Sequence, residues 1–208
     1  MQRHTQARHH TDITPPGTLL RYVQLPRLMR QYPHLPVFAL YNFLSGFFSI
    51  GLMAAFAAIL HTPLIFPSLG PTAFHYFSRQ TAPTASPRNA ILGHLIGTAA
   101  GYFSLVVTGL TRAGSAMANG VTWPRVIAAA LSLGLTAGLM ILFRASHAPA
   151  GATTLIISLG ILTQPWQLVV LMIAIILLTL QAIAINRLFG MPLPLWSQSP
   201  APTKNDEP

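Results

Sequence analysis

The chain has 208 residues, of which 52% are hydrophobic and only 7% charged, and its mean hydropathy is +0.54. A soluble domain carries roughly a quarter charged residues, so this composition excludes an ordinary soluble fold and points to a membrane protein. The formal net charge of +9 comes from a shortage of acid: the acidic residues are Asp12, Asp206 and Glu207, leaving positions 13 to 205 without a carboxylate.

The basic residues stand singly between apolar runs, unlike the clustered Lys/Arg surface of a nucleic-acid binder, and no nucleic-acid partner is expected. Cysteine is absent, which excludes disulfides, thiolate metal sites and cysteine nucleophiles. No carboxylate pair, Gly-rich phosphate loop or zinc motif is present, so no enzyme activity, metal or cofactor is expected.

In chain order, residues 1–36 form a basic, Pro-containing segment expected on the cytoplasmic face, either lying on an anionic lipid surface or anchoring topology. Residues 37–190 are read as the transmembrane domain. Four stretches reach the length of about 20 apolar residues that a span needs: Val37 to Leu60, Ile91 to Leu110, Val126 to Phe143 and Trp166 to Ile185. Two further apolar stretches, Leu64 to Ser78 and Ala148 to Gln164, are short and broken by Pro or Gly. The tail, 191–208, is polar and Pro-rich and reads as disordered.

The pattern repeats. Ser49-Ile50-Gly51-Leu52-Met53-Ala54 matches Ser132-Leu133-Gly134-Leu135-Thr136-Ala137, and each match precedes a broken segment, with Gly70-Pro71-Thr72-Ala73 answering Gly151-Ala152-Thr153-Thr154 and Ser68 aligning with Pro149. The expected fold is therefore all-α transmembrane: two repeats, 37–111 and 123–190, each a long helix, a short broken helix and a long helix. If the short segments cross the membrane, the repeats are inverted and Arg112 and Arg125 are the basic residues left outside. If they re-enter, Arg79, Arg88 and Arg144 move outside instead. Crossing suits the positive-inside rule better, and it places both termini in the cytoplasm of a cell whose inner membrane holds the chain.

A helix end inside a bilayer needs partners for its backbone groups, so each break is a candidate site. A half-helix N-terminus favours an anion through its free N–H groups and dipole. Pro149 suits a helix start, having no N–H to leave unpaired, and Ser68, Thr72, Thr153 and Thr154 add hydroxyls beside Gly70 and Gly151. The competing reading is a closely packed, kinked helix. The ionisable groups near the spans are His61, His75, His94, His147 and arginines, with Arg88 and Asn89 preceding His94; the cargo consistent with them is an anion or a neutral solute. His147 and His94 are candidates for anion binding or proton coupling, weighed against plain packing, and Arg88 and Asn89 are coupling candidates beside His94. Asn186 reads as a cap for the last span.

Ser146-His147-Ala148-Pro149-Ala150-Gly151-Ala152-Thr153-Thr154 resembles the signature of the HPP family, named for a His-Pro-Pro motif followed by Ala-Gly-Ala-Thr. Pro67-Ser68-Leu69-Gly70-Pro71-Thr72-Ala73 is similar to that family's first broken segment, Pro87-Arg88-Asn89 with Gly93-His94 to the helix start after it, and Asn186-Arg187 to its end. The resemblance covers about residues 40 to 190 and departs at Ala148, where the family has its first Pro. It implies a small-anion permease, nitrite first, since some plastid and cyanobacterial relatives are implicated in nitrite transport. The alternatives are a non-transporting sensor or scaffold and a channel for a neutral solute. Homo-oligomerisation stays open.

Overall fold

The computed structural model describes residues 24–196. The readings of the basic segment up to residue 23 and of the tail from residue 197 lie outside the described residues. Helices and short turns make up the described chain, which holds no strand.

Helix α1 (Leu25–Gln31) is short and leads into α2 (His34–Leu60), the first of four helices long and apolar enough to cross a membrane. Then come α3 (Leu69–Ser78), a 3₁₀ turn at Pro83–Ala85, α4 (Pro87–Val107), the single turn α5 (Ala116–Asn119), α6 (Trp123–Leu142), α7 (Ala150–Ser158) and α8 (Pro165–Leu188). The four spans match the four apolar stretches. The starts differ by a few residues because a proline in the first turn, where an N–H would have no partner, sets where α4, α6 and α8 begin.

The four long helices and α7 end alike. Residues His61, Gly109, Arg144, Gly160 and Gly190 all take the left-handed conformation, and the next residue's N–H reaches back to a carbonyl five positions earlier, as in Leu110 to Leu105 and Met191 to Asn186. This closes the helix and pairs carbonyls that would otherwise be orphaned in lipid.

Side-chain contacts fix the direction of the two short segments. The Ser78 hydroxyl at the end of α3 bonds Asn42 Oδ1, near the start of α2, although α3 follows the opposite end of that helix. Arg88 Nη1 bonds the Arg144 carbonyl, which places the end of α6 beside the start of α4. At the end of α7, Leu159 accepts from Ala116 N–H and Ser158 accepts from Arg125 Nη1, beside the start of α6. Calling the α2-start side proximal and the other side distal, residues 61–78 run from distal to proximal and residues 145–160 run from proximal to distal. Each begins as non-helical chain and ends as a short helix, Leu69–Ser78 in the first and Ala150–Ser158 in the second.

Packing sets α4 against α6 and α7, and α8 against α4, α2 and α3. Three glycines make the first set tight. A Cβ at Gly93 would lie 2.8 Å from His147 Cβ, one at Gly97 2.7 Å from the Ala150 carbonyl oxygen, and one at Gly101 2.9 Å from both Ile157 Cβ and the Thr154 carbonyl oxygen. The backbone of α4 thus lies directly on α7. On α8 the core-facing residues are larger, including Leu171, Ile175 and Leu178, all fully buried. Side chains such as Phe43, Phe47, Ile59 and Leu142 face outward, as expected where the solvent is lipid.

Helix α1 docks on protein: Leu25 is buried and its N–H bonds the Phe189 carbonyl. Met191 and Leu193 also pack against the core, and Leu195 accepts from the Arg88 N–H.

Candidate functional site

Where the helical parts of α3 and α7 begin, four side chains meet. Thr72, in the first turn of α3, has its hydroxyl oxygen 2.9 Å from Nε2 of His94 and 3.3 Å from Nε2 of His147. His94, two turns into α4, has its other ring nitrogen, Nδ1, 2.8 Å from the Thr153 hydroxyl on α7. His147 donates from Nδ1 to the Thr84 carbonyl in the 3₁₀ turn at 2.8 Å, and Thr72 donates to the Ser68 carbonyl at 2.8 Å. The rings of His94 and His147 lie edge to face with centroids 5.0 Å apart, and His75 stands 5.7 Å from His147.

Local sequence explains the arrangement. Gly93 has no side chain, so His147 can press against α4 beside His94. Pro67-Ser68 and Ala148-Pro149 form matching turns directly ahead of α3 and α7. All of Ser68, Thr72, His94, His147, Thr153 and Thr154 are fully buried, so the cluster is closed to both faces. A cleft of about 400 Å³ near Arg112 and Gln164 does not include any of these residues.

Two of the buried hydroxyls, Ser68 Oγ and Thr154 Oγ1, have no hydrogen-bond partner. An unpaired buried hydroxyl costs roughly 1–3 kcal/mol, so both invite a polar ligand. The backbone tells a different story from the one the sequence suggests. At the start of α7, Ala150, Gly151 and Ala152 donate their N–H groups to His147, Ala148 and Pro149, and at the start of α3 Leu69 and Thr72 donate to Phe66 and Ser68. Overlapping tight turns therefore take up most of the N–H groups expected to be free, and the donors left for an anion are hydroxyls and imidazoles.

The sequence-selected residues divide accordingly. Thr72, His94, His147 and Thr153 form the cluster, with Ser68 and Pro149 in the turns that feed it and Thr154 next to Thr153. Gly70 is exposed with open space at its Cβ position, and Gly151 faces Leu133, so neither touches the histidines. Arg88 and Asn89 hold the start of α4: Arg88 bonds Asn89 Oδ1 and the Arg144 carbonyl, and Asn89 bonds Ser86 and the Pro83 carbonyl. Phe189 caps α8, and Asn186, expected as the cap, lies within the helix. Its amide accepts from Tyr41 and donates to the Tyr76 and Ala182 carbonyls, while Tyr76 pairs with Thr179, so α2, α3 and α8 are tied together. The Thr84 carbonyl could not be foreseen, but the Gly93-Gly97-Gly101 spacing was a readable signal for close helix packing.

Among the described residues no group of three or more His, Cys, Asp or Glu is arranged to hold a metal. No curated protein and no solved structure matches the chain. The model of the HPP transmembrane region matches residues 32–194. That match covers all four spans, both short helices and the histidine–threonine cluster, and with the helices it establishes the chain as a multi-pass membrane protein of the HPP family.

Proposed function

We propose that the chain is a permease for a small monovalent anion, nitrite first, bound where the starts of α3 and α7 meet. The observation that carries this reading is the cluster itself: imidazoles and hydroxyls sit between two helix N-termini, in a region of sequence with no carboxylate. Positive helix ends favour negative charge, and the unpaired hydroxyls of Ser68 and Thr154 would complete an anion's shell. A cation would find no counter-charge there.

The architecture suits transport. The buried stripe Ser45, Ser49, Met53 of α2 has the same spacing as Ala128, Ser132, Thr136 of α6. Leu69, Thr72, Ala73, Tyr76 and Phe77 of α3 likewise correspond to Ala150, Thr153, Thr154, Ile157 and Ser158 of α7. With the short segments running in opposite directions, we infer two inverted repeats, 37–111 and 123–190, within one transmembrane domain. Such repeats place a substrate near the midplane and expose it alternately to each side by rocking one unit on the other. The fully buried cluster is then an occluded state. The positive-inside rule puts the proximal face in the cytoplasm of the inner membrane.

A second reading, a sensor or scaffold without transport, draws on the same closure, because most of the cluster's polar atoms already pair with one another. Thermal unfolding of the purified protein in detergent, with a panel of sodium salts, separates the two. Stabilisation by nitrite above that by equal chloride or sulfate supports the permease. An identical unfolding temperature in every salt contradicts it.

A further inference from the structure

We propose that the Thr72–His94–His147 cluster takes up one proton with each anion, so that proton and anion cross as a neutral pair. This rests on the permease reading and adds its coupling.

The argument is a proton count. Five close contacts link the cluster: Thr72 to the Ser68 carbonyl, to His94 Nε2 and to His147 Nε2, His94 Nδ1 to Thr153, and His147 Nδ1 to the Thr84 carbonyl. Each needs one hydrogen. Two hydroxyls and two neutral imidazoles supply only four. Both carbonyls can only accept, so His147 carries its hydrogen on Nδ1, and its Nε2 turns a bare lone pair towards Thr72. The single Thr72 proton cannot serve the Ser68 carbonyl and that lone pair together.

A fifth proton, placed on His147 Nε2, resolves this. Thr72 then donates to Ser68 and accepts from both Nε2–H groups, which fills a hydroxyl's one donor and two acceptor sites. Thr153 donates to His94 Nδ1. The proton comes from bulk hydronium, forms the N–H bond at Nε2, and returns to water when the anion leaves.

The result is an imidazolium in the membrane interior. The groups set against it offer no negative charge: His75 and Thr72 from α3, His94 from α4 and the Thr84 carbonyl from the 3₁₀ turn, and the charged residues on or at the ends of α3, α4 and α6, Arg79, Arg88, Arg125 and Arg144, are all cations. Burying an unpaired charge is costly. A monovalent anion beside the ring removes that cost, so each ion stabilises the other's binding.

The test uses wild-type protein in proteoliposomes, with membrane potential set by potassium and valinomycin, a lumenal pH dye, and nitrite assayed directly; flux into empty liposomes is subtracted. The expected result is one proton per nitrite, uptake driven by an alkaline lumen, and a rate independent of potential. Nitrite flux that follows the potential and carries no protons would overturn the coupling and leave the permease standing. Absence of nitrite flux would overturn both. His147→Asn keeps a donor for the Thr84 carbonyl but has no basic nitrogen, and its remaining uptake should lose all response to the pH gradient. Where that variant does not fold, the wild-type ratio still decides.

Discussion

Gly97 of α4 lies against Ala150, the first residue of α7, so closely that a Cβ on the glycine would stand 2.7 Å from the Ala150 carbonyl oxygen. Neither partner can yield, because the clash is with backbone. Gly97→Ala should therefore destabilise the fold by about 1–3 kcal/mol, the usual cost of overpacking. Gly70→Ala, with nothing near its Cβ position, should be neutral or stabilising by up to about 1 kcal/mol from helix propensity. Thermal unfolding in detergent checks the pair, and equal effects would contradict the packing described.

Thr72 and Thr154 should respond in opposite directions to the same near-isosteric change. Thr72→Val strips partners from two buried imidazole nitrogens, at about 1–3 kcal/mol for each group left unpaired. Thr154→Val removes a buried hydroxyl that has no partner, so stability should hold or rise by about 1 kcal/mol. Nitrite binding should weaken in both. Unfolding temperature and nitrite-dependent stabilisation, measured together, separate the two effects.

The path of residues 61–78 makes a topological prediction that the cysteine-free chain is well suited to test. His61 lies at the distal end of α2, and Thr81 follows the proximal end of α3. His61→Cys and Thr81→Cys should react with a membrane-impermeant maleimide from opposite sides. Labelling of both from one side would mean that the segment re-enters.

Much of this was legible beforehand. Four spans follow from hydropathy alone, because a bilayer accepts few alternatives to a long apolar helix. The placement of Thr72, Thr153 and His147 at the breaks was likewise readable from Pro and Gly positions, whereas the meeting of His94, two turns into α4, with them was not. What escaped the sequence were backbone relations: the Thr84 carbonyl as partner of His147, and the tight turns that consume N–H groups ahead of α7. Such contacts depend on chain geometry and leave no trace in residue type.

Arg125 illustrates the same limit. As a single cation near a span end it reads as an outside topology charge, yet it is 3% exposed, with its guanidinium bonded to the Ser158 and Gly114 carbonyls at 2.9 and 2.8 Å. Gly160 leaves room for it, since a Cβ there would meet the guanidinium at 3.0 Å. The cation thus pins the C-terminal end of α7, where the helix dipole favours positive charge. Arg125→Met should cost roughly 1.5–3 kcal/mol, the range for hydrogen bonds to charged groups. Thermal unfolding measures it, and an unchanged midpoint would contradict the pin.

The central claim is that a small anion crosses through the cluster of Thr72, His94, His147 and Thr153. Its most direct test is uptake of isotopically labelled nitrite into proteoliposomes holding the wild-type protein, compared with empty liposomes and with Thr153→Val. The account predicts uptake by the wild type well above empty liposomes and strongly reduced uptake by the variant. Wild-type uptake equal to that of empty liposomes would contradict it.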